Sequence, residues 1–139
     1  SMNMGEPLRP LVKVASGGEL SRLMLGLKII FTSLQGIETV IFDEIDSGVS
    51  GPVATSIGRK MAVLGRNVQV FSITHLAQVA AHASHHYHVS KHDENGRTTT
   101  NVRELGEDEV ITQLALIASG TTSEAALSAA RELYEGARR

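Results

Sequence analysis

Thr39-Val40-Ile41-Phe42-Asp43-Glu44, followed at once by Ile45-Asp46-Ser47-Gly48, is the stretch whose reading decides the fold. Its apolar, β-prone residues end abruptly in two adjacent carboxylates. A continuous apolar run of this length reads as a strand buried on both faces, as in a parallel sheet covered by helices. Acids at the carboxyl end of such a strand sit where open α/β sheets bind ligands. The bland alternative is a strand that stops at an acidic turn, for which Asp-Ser-Gly is well suited. The neighbouring segments decide between the two.

Downstream, Ser47 to Gly51 reads as a flexible turn, and Pro52 suits the first position of a helix. Val53, Ile57, Met61 and Leu64 give that helix one apolar stripe, and Gly65 closes it. Val68 to Ile73 is a second strand, ending at Thr74-His75. Two strands joined by a helix form the right-handed βαβ unit of a parallel sheet. Asp43, Glu44 and His75 are then expected along one edge of that sheet.

Upstream, Leu11 to Val14 reads as a short strand, and Ser16 with Glu19 fits a capping box. Leu20, Leu23, Met24, Leu27, Ile30, Phe31 and Leu34 recur at helical spacing, predicting a long helix that ends near Gln35-Gly36. A glycine-rich turn opening a helix turns unpaired N–H groups and the positive dipole end outward, which favours an anion. Towards the C-terminus, residues 76–83 read as a short helix. Residues 86–91 and 98–104 read as a hairpin around Asp93-Glu94-Asn95-Gly96. Residues 108–118 and 123–134 are helical, the second capped by Ser123.

Composition sets the outer bounds. The 139 residues suit one domain with a modest core. A hydrophobic share of 42% with 20% charged residues is that of an ordinary globular protein. A net charge of −2 gives no global attraction for nucleic acid. The absence of cysteine excludes disulfides and thiolate metal sites. No apolar run reaches membrane-span length and no signal peptide is visible, so a cytoplasmic protein with no membrane partner is expected. Ser1-Met2 reads as a cloning remnant ahead of an excised piece, and residues 1–9 as an extended lead-in.

Phosphoryl transfer from a nucleotide needs magnesium, a positioned water and donors for the phosphate charge. Asp43 is a candidate Mg2+ ligand, because that hard cation prefers oxygen. Glu44 is placed to polarise a water, and His75 to donate to a γ-phosphate. Ser16, Gly17 and Gly18 offer a hydroxyl and backbone N–H groups to another phosphate face.

On these residues the chain resembles the ABC-type ATPases. Ala15-Ser16-Gly17-Gly18-Glu19-Leu20-Ser21-Arg22 is similar to their signature motif. Val40-Ile41-Phe42-Asp43-Glu44 is similar to their Walker B strand, and Thr74-His75 to their switch histidine. The longer stretches Val14 to Arg22, Phe42 to Gly51 and Thr74 to Ala81 resemble, more narrowly, the C-terminal ATPase lobe of the RecN family, relatives of SMC and Rad50 proteins. SMC heads usually carry an acid where this chain has Ser50, which favours RecN over an SMC/Rad50-type head in chromosome maintenance.

The resemblance implies a P-loop NTPase-type α/β lobe over residues 10–139: a parallel-sheet core flanked by helices, with a C-terminal β-hairpin and helices. It also implies ATP and Mg2+ as cofactors and a role in DNA double-strand-break repair and recombination within the SOS response. Site roles follow residue by residue. Ser16, Gly17, Gly18 and Glu19 would contact ATP held by a second head of a homodimer. Asp43 would serve the metal and Glu44 would be the general base. Asp46, Ser47 and Gly48 would form the loop across the dimer, and His75 would sense the γ-phosphate.

A phosphate-binding loop needs G-x-x-x-x-G-K-S/T, and the chain has none. The N-terminal lobe that would carry it, and the coiled coil, are expected elsewhere in the full-length protein, where DNA would also be met. The chain alone is therefore expected to be inactive. One rival reading rests on His82, His85, His86, His88 and His92, of which His82 and His86 would stand one helical turn apart, as zinc ligands do. The other is a non-catalytic interaction module whose acids cap strands. Arg22, Lys28, Arg59, Lys60 and Arg66 could contribute a DNA-facing surface, but a scattered charged face is usually just solvated.

Overall fold

The computed structural model describes residues 17–43, 45–46, 48–94 and 96–139. The chain divides into two compact units, one ending at Thr74 and the other starting at His75. The strand expected over residues 11–14 and the Ser16 cap lie outside the described residues.

In the first unit, α1 (Gly17–Gln35) leads into β1 (Thr39–Asp43), and α2 (Gly51–Leu64) connects it to β2 (Gln69–Ile73). The two strands pair in parallel, Thr39 opposite Gln69 through to Asp43 opposite Ile73. This is the expected βαβ unit. α2 begins after Ser50, with Pro52 in its first turn where the missing N–H costs nothing. Its buried side comprises Ala54, Ile57, Gly58, Met61 and Leu64. Val53, assigned to that stripe by spacing, is instead exposed, and Ala54 one position on takes its place.

Two further expectations are corrected. β1 is not covered on both faces: Val40 and Phe42 are buried, while Ile41 is 59% exposed between them. Successive strand residues point to opposite faces, and only the Phe42 face is covered. Phe42 is fully buried, with the Lys28 ammonium of α1 5.4 Å from its ring centroid, so α1 lies on that side. Among the described side chains of α1, Leu25 and Thr32, two turns apart, are buried, and the Thr32 hydroxyl is satisfied by donating to the Lys28 carbonyl at 2.6 Å. Leu20, Leu23, Met24, Ile30 and Phe31, the stripe that spacing selects as the core face, are exposed. Spacing identifies an apolar stripe but not which neighbour covers it.

The second unit opens with α3 (Ala77–Ala80), then a hairpin of β3 (Tyr87–Glu94) and β4 (Arg97–Glu104), then α4 (Glu107–Ser119) and α5 (Glu124–Gly136). Glu94 pairs with Arg97, so the strands run right up to the Asn-Gly turn, where Gly96 takes a φ of 75°. A two-residue hairpin turn requires this left-handed backbone, which glycine adopts without strain. The Gly106 N–H donates to the Glu109 carboxylate at the start of α4, beside the acids Glu107 and Asp108 that suit the helix dipole. Together with the Arg103 guanidinium at 2.7 Å, that backbone donor holds the Glu109 carboxyl below its usual range. Ser123 caps α5 by accepting from the Ala126 N–H, as its sequence predicts.

The core of this unit joins Ala77 and Ala81 to Val110, Ile111, Leu114, Ala115, Ala130 and Tyr134. Arg138 closes it. Its guanidinium lies 3.3 Å from the Tyr134 ring centroid and donates to the carbonyls of Ala81 and Tyr134 at 3.2 and 3.1 Å. His86 packs near the same ring, 6.2 Å between centroids, and its Nε2–H donates to the Ala80 carbonyl at 2.9 Å. Burial lowers the His86 pKa below its usual 6.5, and repulsion from Arg138 and His85 adds to this; the Ala80 carbonyl opposes it.

Two predictions follow from this packing. Phe42→Ala should lower the unfolding free energy by about 3–5 kcal/mol, while Ile41→Ala on the bare face should cost less than about 1 kcal/mol. Urea denaturation of both variants checks this. The folded chain holds His86 neutral more strongly than the unfolded chain does, so the unfolded state takes up the proton first on acidification. The contribution is therefore complete above pH 6.5 and is lost as pH falls through the lower folded pKa. His86→Gln should flatten that segment of the stability–pH curve.

Candidate functional site

Parallel strands in register finish at the same edge. Asp43, the last residue of β1, lies opposite Ile73, so it and Thr74, which follows β2, come to the same edge of the sheet. Asp43 is exposed there. Beyond it the chain reverses: the Val49 N–H donates to the Asp46 carbonyl at 3.1 Å, and Gly48, at the third position of that turn, has a φ of 72°. Turns that need this backbone at their third position favour glycine. Val49 is itself buried, which pins the turn to the unit.

Asp46 is 1% exposed, and the Thr74 hydroxyl donates to its Oδ2. A carboxylate taken out of water needs such donors to offset its desolvation. The bond joins the turn after β1 to the end of β2, residues 28 apart in sequence. In the sequence Asp46 belongs to a loop and Thr74 is marked only as the residue before His75. No spacing rule announces the pair, because it exists only once β1 and β2 lie parallel.

The other candidates are placed as follows. Gly17, Gly18 and Glu19 form the first turn of α1, so the glycine-led helix start is present in the backbone. Ser16, Glu44 and Ser47 lie outside the described residues. His75 is exposed and directly follows Thr74 in the chain. A surface pocket lined by Gly36, Ile37, Glu38, Asn67 and Val68 sits where the strands begin, at the opposite edge, and none of the candidates lines it.

The histidine-rich stretch does not assemble a metal site among the described residues, where no group of three His, Asp or Glu comes together. α3 ends at Ala80, so the helix that would have put His82 and His86 on one face does not continue. Four of the five rings have their own partners: His82 the Gln78 carbonyl, His85 the Glu104 carboxylate, His86 the Ala80 carbonyl and His92 the Ser90 hydroxyl. Among the described residues no helix is long and apolar enough to cross a membrane.

No family model matches the chain. Individual proteins do. The chain is 48% identical over 136 residues to DNA repair protein RecN of Halalkalibacterium halodurans, covering 97% of this chain and 24% of that protein. It is 49% identical over 138 residues to DNA repair protein RecN of Deinococcus radiodurans, covering 98% and 24%. It is 49% identical over 120 residues to that of Bacillus subtilis, covering 86% and 21%. In three dimensions it is similar to a chain from a study of ATP-driven dimerisation and DNA-stimulated activation of SMC ATPases. The TM-score is 0.59 at 20% identity, covering 85% of this chain and 70% of that one. At that identity the likeness shows the fold alone, a mixed α/β lobe with a parallel strand pair. The resemblance read in the motifs therefore runs through almost the whole chain: it is a RecN-like sequence that spans about a quarter of the length of the RecN proteins it matches.

Proposed function

We propose that this chain is the part of a RecN-like ATPase head that supplies a signature turn and a hydrolytic carboxylate to a composite ATP site, in a protein of DNA double-strand-break repair. The observation that carries the reading is the shared sheet edge, where Asp43 at the end of β1 and Thr74 after β2 emerge together. Similarity to RecN proteins over nearly the whole chain supports the same reading.

On this reading the missing partners are the N-terminal lobe with its phosphate loop, a second head and DNA. The protein is cytoplasmic and associated with the nucleoid, where its substrate lies. ATP sits between the phosphate loop of one head and the α1 start of the other. There Ser16 and the backbone N–H groups of Gly17 and Gly18 donate to the γ-phosphate, helped by the dipole of α1, with Glu19 beside them. Asp43 presents an exposed oxygen donor of the kind magnesium takes, and one protein carboxylate is enough for a cation that keeps several of its waters. Bound there, the cation would neutralise phosphate charge. Glu44 accepts the proton of the attacking water, and His75 donates to the γ-phosphate as charge moves onto it. The turn through Asp46, Ser47 and Gly48 faces the second head.

In the full-length protein, Glu44→Gln should lower ATP turnover by about 100-fold or more. It should also trap dimers under saturating ATP, read by light scattering; persistent monomers would contradict the reading. The chain by itself should show no magnesium-dependent turnover. Turnover by the purified chain that Glu44→Gln abolishes would overturn the assignment of the phosphate loop to another part of the protein.

A further inference from the structure

We infer that the solvent face of α2 is a contact surface for the phosphate backbone of a duplex nucleic acid, carried by Arg59, Lys60 and Arg66. The chain's net charge of −2 conceals an uneven distribution. All 15 acidic residues lie outside residues 47–92, a stretch that holds Arg59, Lys60, Arg66 and Lys91. Surfaces that serve only solubility intersperse both signs. Three of these four cations come together on one face. The exposed side of α2, with the turn that continues it, runs through Ser56, Arg59, Lys60, Val63, Arg66 and Asn67. The helix ends at Leu64, but Gly65 keeps a right-handed helical backbone, and the Arg66 and Asn67 N–H groups donate to the Val63 and Leu64 carbonyls. The winding therefore carries on, and Arg66 leaves on the same side as Arg59, two turns and about 10 Å along the axis.

These charges are not spent within their own unit. Among the described residues no carboxylate forms an ion pair with any of the three. Other arginines of the chain are engaged, Arg103 by Glu109 and Arg138 over the Tyr134 ring. Glu38 lines the pocket that Asn67 also lines, so a carboxylate bounds the stripe at its far end without pairing with it. Cations spread over about 10 Å span roughly three phosphates of one strand, which recur about every 3.4 Å along a duplex. Ser56 and Asn67 add the hydroxyl and amide donors that phosphate oxygens accept from. An acidic protein face fits less well. Protein interfaces bury an apolar core from which charged residues are depleted, and Val63, 53% exposed, is the one apolar side chain of the six. Nucleic-acid interfaces are polar and cationic instead. Such a stripe reads charge and not base edges, so the contact is independent of sequence.

The test uses the full-length protein without nucleotide, so its outcome is separate from that of the ATPase reading, which Glu44→Gln decides. Fluorescence anisotropy follows binding of a labelled short DNA duplex across a salt series. Arg59→Gln, Lys60→Gln and Arg66→Gln combined should make the slope of log affinity against log salt shallower by about 2–3. Binding should weaken by at least about tenfold at about 0.1 M salt, equally for duplexes of unrelated sequence. Arg59→Lys with Arg66→Lys keeps every charge and should hold the slope within about 0.5 of the parent. Should the triple variant fail to fold, the three single Gln variants decide, each lowering the slope by about 1. An unchanged slope in the Gln variants overturns the inference, as does a loss that the Lys variant shares or one confined to a single DNA sequence. A parent protein with no salt-dependent DNA binding overturns it too. If the triple variant keeps the slope but no longer forms the dimers that Glu44→Gln traps under ATP, the stripe faces a protein and the inference falls.

Discussion

Parallel pairing of β1 with β2 is the constraint on which the candidate site depends. Five residues of each strand lie in register, so both run out at one edge and in one direction. An antiparallel pairing would send the end of one strand to the start of the other and separate the acids from Thr74. The covered face that holds this pairing is narrow: Val40 and Phe42 from β1, with α1 lying over Phe42. Phe42 immediately precedes Asp43, so the side chain that seats the strand and the side chain offered at its edge are neighbours. Local alternation sends one inward and the other outward.

Beyond the ladder the restraint passes from backbone to side chain. The turn at Asp46 to Val49 would be an ordinary connection were its carboxylate in water. Instead it is buried and engaged by Thr74, so the segments that leave the two strands are tied to each other. A buried charge held by hydrogen bonds is weak grounds for claiming stability, since apolar replacements often do as well.

What the sequence made legible was whatever local chemistry decides. Gly96 marked the hairpin turn, Ser123 the start of α5, and Pro52 the start of α2. The strand–helix–strand order, with acids at one strand end and Thr74-His75 at the other, was enough to expect the shared edge. What stayed hidden depended on partners distant in sequence. Spacing puts Leu20, Leu23, Met24, Ile30 and Phe31 on one apolar stripe of α1, yet these are exposed while Leu25 and Thr32 are buried. Ile41 was read as covered, yet with Phe71 and Ile73 it is exposed. The chain spans about a quarter of its RecN relatives, and on the proposed reading other parts of the head supply that cover. An apolar pattern records the whole protein's contacts, not those of one piece. The Asp46–Thr74 bond was hidden for the complementary reason, joining two polar residues that no periodicity links.

On the proposed reading, the acids of one head and the α1 start of another act on a single ATP. Mixing two full-length variants tests it most directly, one carrying Ser16→Arg and the other Glu44→Gln, each inactive alone. In a mixed dimer one of the two sites combines an intact Glu44 with an intact Ser16, so ATP turnover should return on mixing. Turnover that stays at the level of the separate variants, in a mixture shown to contain mixed dimers, would contradict a site shared between heads.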